Sequence, residues 1–352
     1  MRRGLISWSR AELPESVLDG RVARAQAAMA AAKIDALAVY SDPSRSAGAS
    51  WLTAFVPYWN RGILVVPKSG RATLFTGMSN RVHGWIKRNS NLAEVKYSTD
   101  LGGDAGKFVA AASQGAVVAV PDLGAIPGAV IDGIAKAGSS VVDGTAMFSR
   151  LRSQADPSDL ALLFRAATIA REALKAASSN ETDAGELVAA VEGQARRLGA
   201  EEIYIAVAPD LARSRALHRL EGDVSLGARF AVRTSVAYKG AWVRLTRTLA
   251  RDGADEIAAA AEKFAAAAAA LPNTAGLAAF PSWLIEGCRT LQPLEALSGS
   301  LLTDRIEVEP GAVVTAQATI DTAQGPVLVG GPVLVGRNGE GSSLLVPVQF
   351  DD

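Results

Sequence analysis

Two arginines, Arg233 and Arg244, stand eleven residues apart in "RTSVAYKGAWVRLTRT", each inside a run apolar enough to be largely buried. The Lys239-Gly240 pair between two strand-like runs predicts a β-hairpin, which would bring the two side chains into one neighbourhood. A buried guanidinium is costly unless it is paired or used. Two chemistries follow from that cost. The arginines hold an anion, carboxylate or phosphate, by forked hydrogen bonds, or each pairs with an internal acid such as Asp321, Asp223 or Glu286.

Other residues with chemistry are few. The chain has two histidines, His83 and His218, and one cysteine, Cys288. His218, in "SRALHRLEGD", has the residue type to move a proton near neutral pH; its other reading is a structural imidazole on a pocket wall. His83 sits beside Arg81 and Trp85 on a polar segment and reads as a surface or interface residue. A lone cysteine excludes an internal disulfide and a cysteine metal cluster, and reads as a small buried residue. In "VPYWNRG", Tyr58, Trp59 and Arg61 combine aromatic area with a guanidinium, a set that can read a carboxylate or simply pack a strand edge. "GGD" at 102 and "GRNGEG" at 336 read as turns, so neither a metal motif nor a phosphate loop is found.

The elements that must position these residues fall into two groups. Over 1–150, a helix containing "RVARAQAAMAAA" precedes the strand "IDALAVY", and "RGILVVP", "ATLFTG", "GAVVAVPD" and "SSVVDG" continue as strands, with "GAVIDGIAKAG" helical. That alternation predicts an α/β domain. Asp156-Pro157 starts a strong helix and a second domain over 151–352. There, helices at 184–198, 254–271 and 280–290 accompany strands near 202–208, 224–248, 312–321, 326–335 and 343–349, which fits an α+β layer. Thirty-six basic and 36 acidic residues give zero formal charge, so no net field steers the chain to nucleic acid or membrane. The basic start reaches Glu and Pro before any apolar stretch, and no apolar run spans a bilayer; a cytoplasmic protein without a signal peptide is expected.

The order of the segments resembles the creatinase, aminopeptidase P and prolidase superfamily, whose catalytic domain is the pita-bread fold. "SWLTAFVPYWNRGILVVP" resembles its "YLTGF...R...LVVP" segment, "AYKGAWVRLTRT" resembles "YKGYxxDxTRT", and "VEPGAVVTAQATI" resembles "LEPGMVFTIEP"; the closing "GGPVLVGRNG" resembles "EDTVLVTEDG". The resemblance implies a creatinase-like α/β first domain and an α+β pita-bread second domain.

Metallopeptidases of this superfamily hold two metal ions with two Asp, one His and two Glu. Carried over residue by residue, the two Asp positions fall at Arg233 and Arg244, the first Glu at Gln317 and the second at Gly330, beside Gly331. The ligand His follows the hairpin in those proteins, whereas both histidines here precede it. The resemblance therefore implies the fold without its metals and with no cofactor. The expected function is a metal-free, catalytically degenerate protein whose pocket, with Arg233, Arg244 and Gln317, binds an anionic small molecule, or which serves as a non-catalytic subunit. The alternative is a metal-independent, creatinase-like hydrolase of a small C–N bond, with His218 as acid/base and the two arginines holding a substrate carboxylate. Arg247 matches the arginine of the "TRT" motif and reads as structural. The resemblance further implies a homodimer, or a heteromer with a related subunit, in which Tyr58, Trp59 and Arg61 reach over the partner's pocket.

Overall fold

The computed structural model describes residues 8–43, 45–56, 60–220, 222–287, 308–337 and 339–350, in two compact units that divide between Arg152 and Ser153. Tyr58, Trp59 and Cys288 lie outside the described residues.

In the first unit, α1 (Glu15–Ala31), β1 (Ala36–Ser41), α2 (Ala47–Thr53), β2 (Gly62–Pro67), β3 (Thr73–Thr76) and α3 (Asn80–Arg88) are followed by β4 (Glu94–Tyr97), α4 (Leu101–Ala112), β5 (Val117–Val120), α5 (Gly128–Lys136), β6 (Ser140–Asp143) and α6 (Thr145–Ser153). The sheet runs β4-β3-β2-β1-β5-β6. Its central trio, β1 to β3, is antiparallel and the outer pairings are parallel. The period of two along β1 divides its side chains between two cores: Leu37 and Val39 pack with Val22, Met29 and Leu52, while Ala36, Ala38 and Tyr40 pack with Val109, Val130 and Ile134. Covering both faces of a mixed sheet with helices explains why β1 reads as a continuous apolar run rather than an alternating one.

The second unit contains α7 (Pro157–Leu174), α8 (Ala184–Arg197), β7 (Glu202–Ala208), β8 (Arg229–Tyr238), β9 (Ala241–Ala250), α9 (Ala254–Ala269), α10 (Ala275–Ala278), β10 (Ser282–Gly287), β11 (Val313–Thr322), β12 (Gly325–Leu334) and β13 (Ser343–Leu344). Helix α7 starts on a capping box, in which the Asp156 carboxylate accepts from the Asp159 N–H and the Asp159 carboxylate from the Asp156 N–H, with Pro157 in the first turn. Its buried stripe, Leu163, Ala166, Ala167, Ala170, Ala173 and Leu174, keeps helical spacing and is mostly alanine, so the helix lies close against the sheet. The sheet order is β10-β11-β12-β9-β8-β7, antiparallel throughout, with β13 added to β12.

One expected element is corrected. The segment read as a helix at 280–290 contains a strand, Ser282–Gly287, paired along its length with β11. A short apolar run such as "WLI" cannot be assigned by periodicity, and the free edge of β11 supplies the ladder that settles it.

Helices α4 and α5 cross through glycines. A Cβ on Gly106 would lie 2.7 Å from the Ala137 Cβ and 2.9 Å from the Ile134 Cα. Gly106→Leu should therefore overpack this crossing and cost about 1–3 kcal/mol, read as a lower midpoint of urea unfolding. Gly20→Ala, on an α1 face with nothing within 4 Å of the added carbon, should stabilise by up to about 1 kcal/mol through helix propensity.

Candidate functional site

The hairpin of β8 and β9 turns at Lys239 and Gly240, which take φ of 49° and 76°, a left-handed pair that only a glycine-containing turn holds cheaply. Arg233 then lies opposite Thr246, and Ser235 opposite Arg244. Residues opposite one another share a face, so Arg233, Ser235, Arg244 and Thr246 stand together on one side of the sheet. Phe230, Val232, Val236, Val243 and Leu245 occupy the other side, in the core with α7.

The same register extends across the sheet. Gln317 on β11 faces Gly330 on β12, Gly330 faces Thr246, Thr246 faces Arg233, and Arg233 faces Ala206 on β7. Three of the four positions that the resemblance assigns to metal ligands, Gln317, Gly330 and Arg233, thus form one row, and Arg244 is diagonal to it. Polar neighbours on this face are Glu202 and Tyr204 on β7, Trp242 on β9, Thr315 and Thr319 on β11, and Ser282 and Glu286 on β10. Tyr204 and Trp242 stack at 5.8 Å. Apart from Glu286, sequence reasoning had not singled these out; their recurrence at alternate strand positions, as in "EIY" and "WVRLT", was the available signal.

The two arginines differ sharply. Arg244, 2% exposed, is ion-paired with Glu286, which β10 carries in beside Thr315. Arg233, 4% exposed, has no carboxylate within ion-pair distance among the described residues. Its Nη1 donates to Gln317 Oε1 at 3.4 Å, the long limit of a hydrogen bond, while Thr246 Oγ1 donates to the same oxygen at 2.9 Å. The Arg233 Nε is buried without a partner among the described residues, as are the hydroxyls of Ser235, Ser282 and Thr319. Each such group costs about 1–3 kcal/mol if left dry and unmatched. Burial, then the Arg244 charge, pulls the Arg233 pKa down to about 10, with Glu286 opposing; the guanidinium is still a cation at neutral pH.

These residues do not fit a dinuclear metal centre. Two guanidiniums stand where carboxylates would be needed, and neither can donate a lone pair to a metal. A Cβ at Gly330 would lie 2.8 Å from the Ala316 carbonyl oxygen and 2.8 Å from the Gln317 Cβ, so this backbone has no room for a ligand there. Among the described residues no group of three His, Cys, Asp or Glu is placed to hold a metal ion.

The remaining expected residues are scattered. Arg247 lies on the helix side, opposite Val232; its Nη1 donates to the Leu174 carbonyl at 2.9 Å and its guanidinium stacks on Phe350 at 4.3 Å. His218 pairs with Val207 through two backbone hydrogen bonds. That register gives it the face of Val207, opposite to the face of Arg233, while its neighbour Leu217 packs with Ala206, Ala208 and Ala231. His83 is a half-buried residue of α3 bonded to the Met78 carbonyl, and Arg61 is exposed in the first unit. Asp321 pairs with Arg215, not with either strand arginine.

By sequence, no family model matches the chain, and no curated protein does. Its fold is nevertheless shared with solved peptidases. A prolidase of Pyrococcus horikoshii superposes with a TM-score of 0.68 at 20% identity, covering 93% of this chain and 97% of that one. A dipeptidase of Mycobacterium ulcerans gives 0.69 at 17%, covering 96% and 98%. An X-Pro aminopeptidase of Thermotoga maritima gives 0.68 at 15%, covering 94% and 98%. The chain has the two-domain, pita-bread architecture of these proteins, α/β in its first unit and α+β in its second.

The unequal arginines predict unequal variants. Arg244→Met strands Glu286 in a buried site and should cost about 3–5 kcal/mol, whereas Arg233→Met removes an uncompensated buried cation and should leave the melting temperature unchanged or raised. Thermal unfolding of both variants checks this.

Glu201 gives a pH dependence. It precedes β7, its N–H donates to the Ala237 carbonyl, and its carboxylate accepts from the Gly240 N–H. Burial raises its pKa to about 7, against the pull of Lys239 and the turn amides. Between its unfolded value and about 7 the native state keeps a proton that the unfolded chain has lost, so stability is greatest at low pH, falls through this window, and levels off above it. Glu201→Gln should flatten that fall, worth on the order of 3 kcal/mol, in denaturant midpoints measured against pH.

Proposed function

We propose that this chain is a metal-free, catalytically degenerate relative in fold of the prolidases and dipeptidases, in which the face bearing Arg233 binds an anionic small molecule. It acts alone or as a non-catalytic subunit, as a homodimer or with a related chain, in the cytoplasm. The observation that carries the reading is Arg233: a buried guanidinium with an Nε unmatched among the described residues, set among unmatched hydroxyls, on the face to which the resemblance assigns metal-ligand positions. An arriving anion would supply the charge-assisted bonds that the described residues leave unmade.

The hydrolase alternative requires an imidazole beside the arginines. The His218–Val207 register gives it no support, and no other described histidine lies in this unit.

The test combines elemental analysis with thermal unfolding of the whole chain in sodium salts of simple carboxylates and phosphate. The expected result is no stoichiometric transition metal and an anion-dependent rise in melting temperature that Arg233→Met abolishes. One metal or more per chain, or a rise that Arg233→Met leaves intact, overturns the reading.

A further inference from the structure

We infer that the anion held at Arg233 is a monocarboxylate carrying neutral polar groups, not a dianion such as phosphate or a dicarboxylate. The inference rests on the anion-binding reading above and fixes the ligand's charge and shape.

The charges on this face leave one positive unit at most. Arg233 and Arg244 contribute two cations; Glu286 is ion-paired with Arg244 and neutralises it. Glu202, 5% exposed on the same face, adds a further carboxylate rather than a further cation. With Arg244 matched by Glu286, a monoanion is the most that the Arg233 charge can match, and Glu202 on the same face leaves no surplus for a second negative charge. A dianion would bring a second negative charge into a buried site where the described residues offer no further unpaired cation, and would lose that charge's hydration.

The shape of the open group agrees with the charge. A guanidinium edge made of Nε and one Nη matches the two oxygens of a planar carboxylate in a fork. Arg233 Nε is unmatched, and its Nη1 makes only the 3.4 Å bond to Gln317. That bond is expendable, because Thr246 already donates to the Gln317 oxygen at 2.9 Å. The hydroxyls of Ser235 on the same strand, and of Ser282 and Thr319 opposite one another across β10 and β11, are also unmatched among the described residues and neutral. They offer hydrogen bonds to uncharged atoms of the ligand and no further charge.

Calorimetric titration of the full chain at constant ionic strength, at a pH where phosphate is doubly ionised, separates the possibilities. Acetate, glycolate and lactate are set against succinate and inorganic phosphate. The expected result is monocarboxylates binding at least about tenfold tighter than either dianion, with all binding lost in Arg233→Met. In Glu286→Gln the face loses one negative charge, and the preference should move toward phosphate and succinate. Dianions binding as tightly as monocarboxylates to the unaltered chain, with binding still lost in Arg233→Met, would overturn the charge inference and leave the anion site standing. Binding of neither class, or binding indifferent to Arg233→Met, overturns both. The comparison on the unaltered chain decides the matter even if Glu286→Gln fails to fold.

Discussion

Two guanidiniums lie diagonally across one strand pair, both almost fully buried, and of the two only Arg244 has an ion-paired carboxylate among the described residues. Like charges in a medium of low dielectric repel and each has lost its hydration, so this arrangement persists only on a frame that cannot relax away from it. The antiparallel ladder is that frame. Its helix-facing side is a continuous apolar layer of Phe230, Val232, Val236, Val243 and Leu245 against α7, and a one-residue slip would exchange that layer for the arginines. The register that buries the core is therefore the register that buries the charge. The turn at Lys239-Gly240 holds it from one end, and the backbone of β7 holds it from the side, with Ala206 opposite Arg233.

The same frame separates fold from chemistry. A dinuclear peptidase site needs converging oxygen and nitrogen donors on this face, and the chain shares the architecture of proteins named as prolidases and dipeptidases. Here the positions that the resemblance assigns to ligands converge, and the residues at them are not metal donors. Gln317, Gly330 and Arg233, three of the positions that the resemblance assigns to ligands, line up with Thr246 across four strands, with Arg244 diagonal to them; those four positions hold an amide, a glycine and two cations. At Gly330 the backbone packing is as unsuited to a ligand as the residue type, since a carboxylate side chain there would collide with β11. A fold can retain the geometry of a site whose reaction it no longer supports.

How far the sequence foretold this depended on the range of each interaction. The hairpin, its turn and the shared face of Arg233 and Thr246 follow from residues within a sixteen-residue stretch, where period and turn chemistry are local and legible. The capping box that opens α7 was legible for the same reason, from Asp156-Pro157. Glu286 was among the acids considered for the arginines, but its segment was read as helical, and as a helix it had no register against β11. The apolar run around it satisfies either period; only the free edge of β11, a long-range partner, selects the strand. The face of His218 was illegible for a related reason. Its order along the chain resembles that of a catalytic histidine, while the face it occupies is set by a two-bond bridge to Val207 that no local pattern announces.

Stability alone gives no reason for Arg233. A methionine of similar volume would fill the same space, would not repel Arg244, and would leave Gln317 bonded to Thr246. The buried pair of Arg244 and Glu286 is different, because each member now depends on the other and neither can be removed singly without stranding a charge. An unmatched cation in a rigid, desolvated site is the arrangement that binds an anion most strongly, since the cost of dehydrating and orienting the receptor has already been met in folding. A ligand that binds only the native state returns part of that cost by mass action. The instability concentrated at Arg233 and the anion binding proposed for it would thus be two consequences of one placement, fixed by the register of β8 against β9.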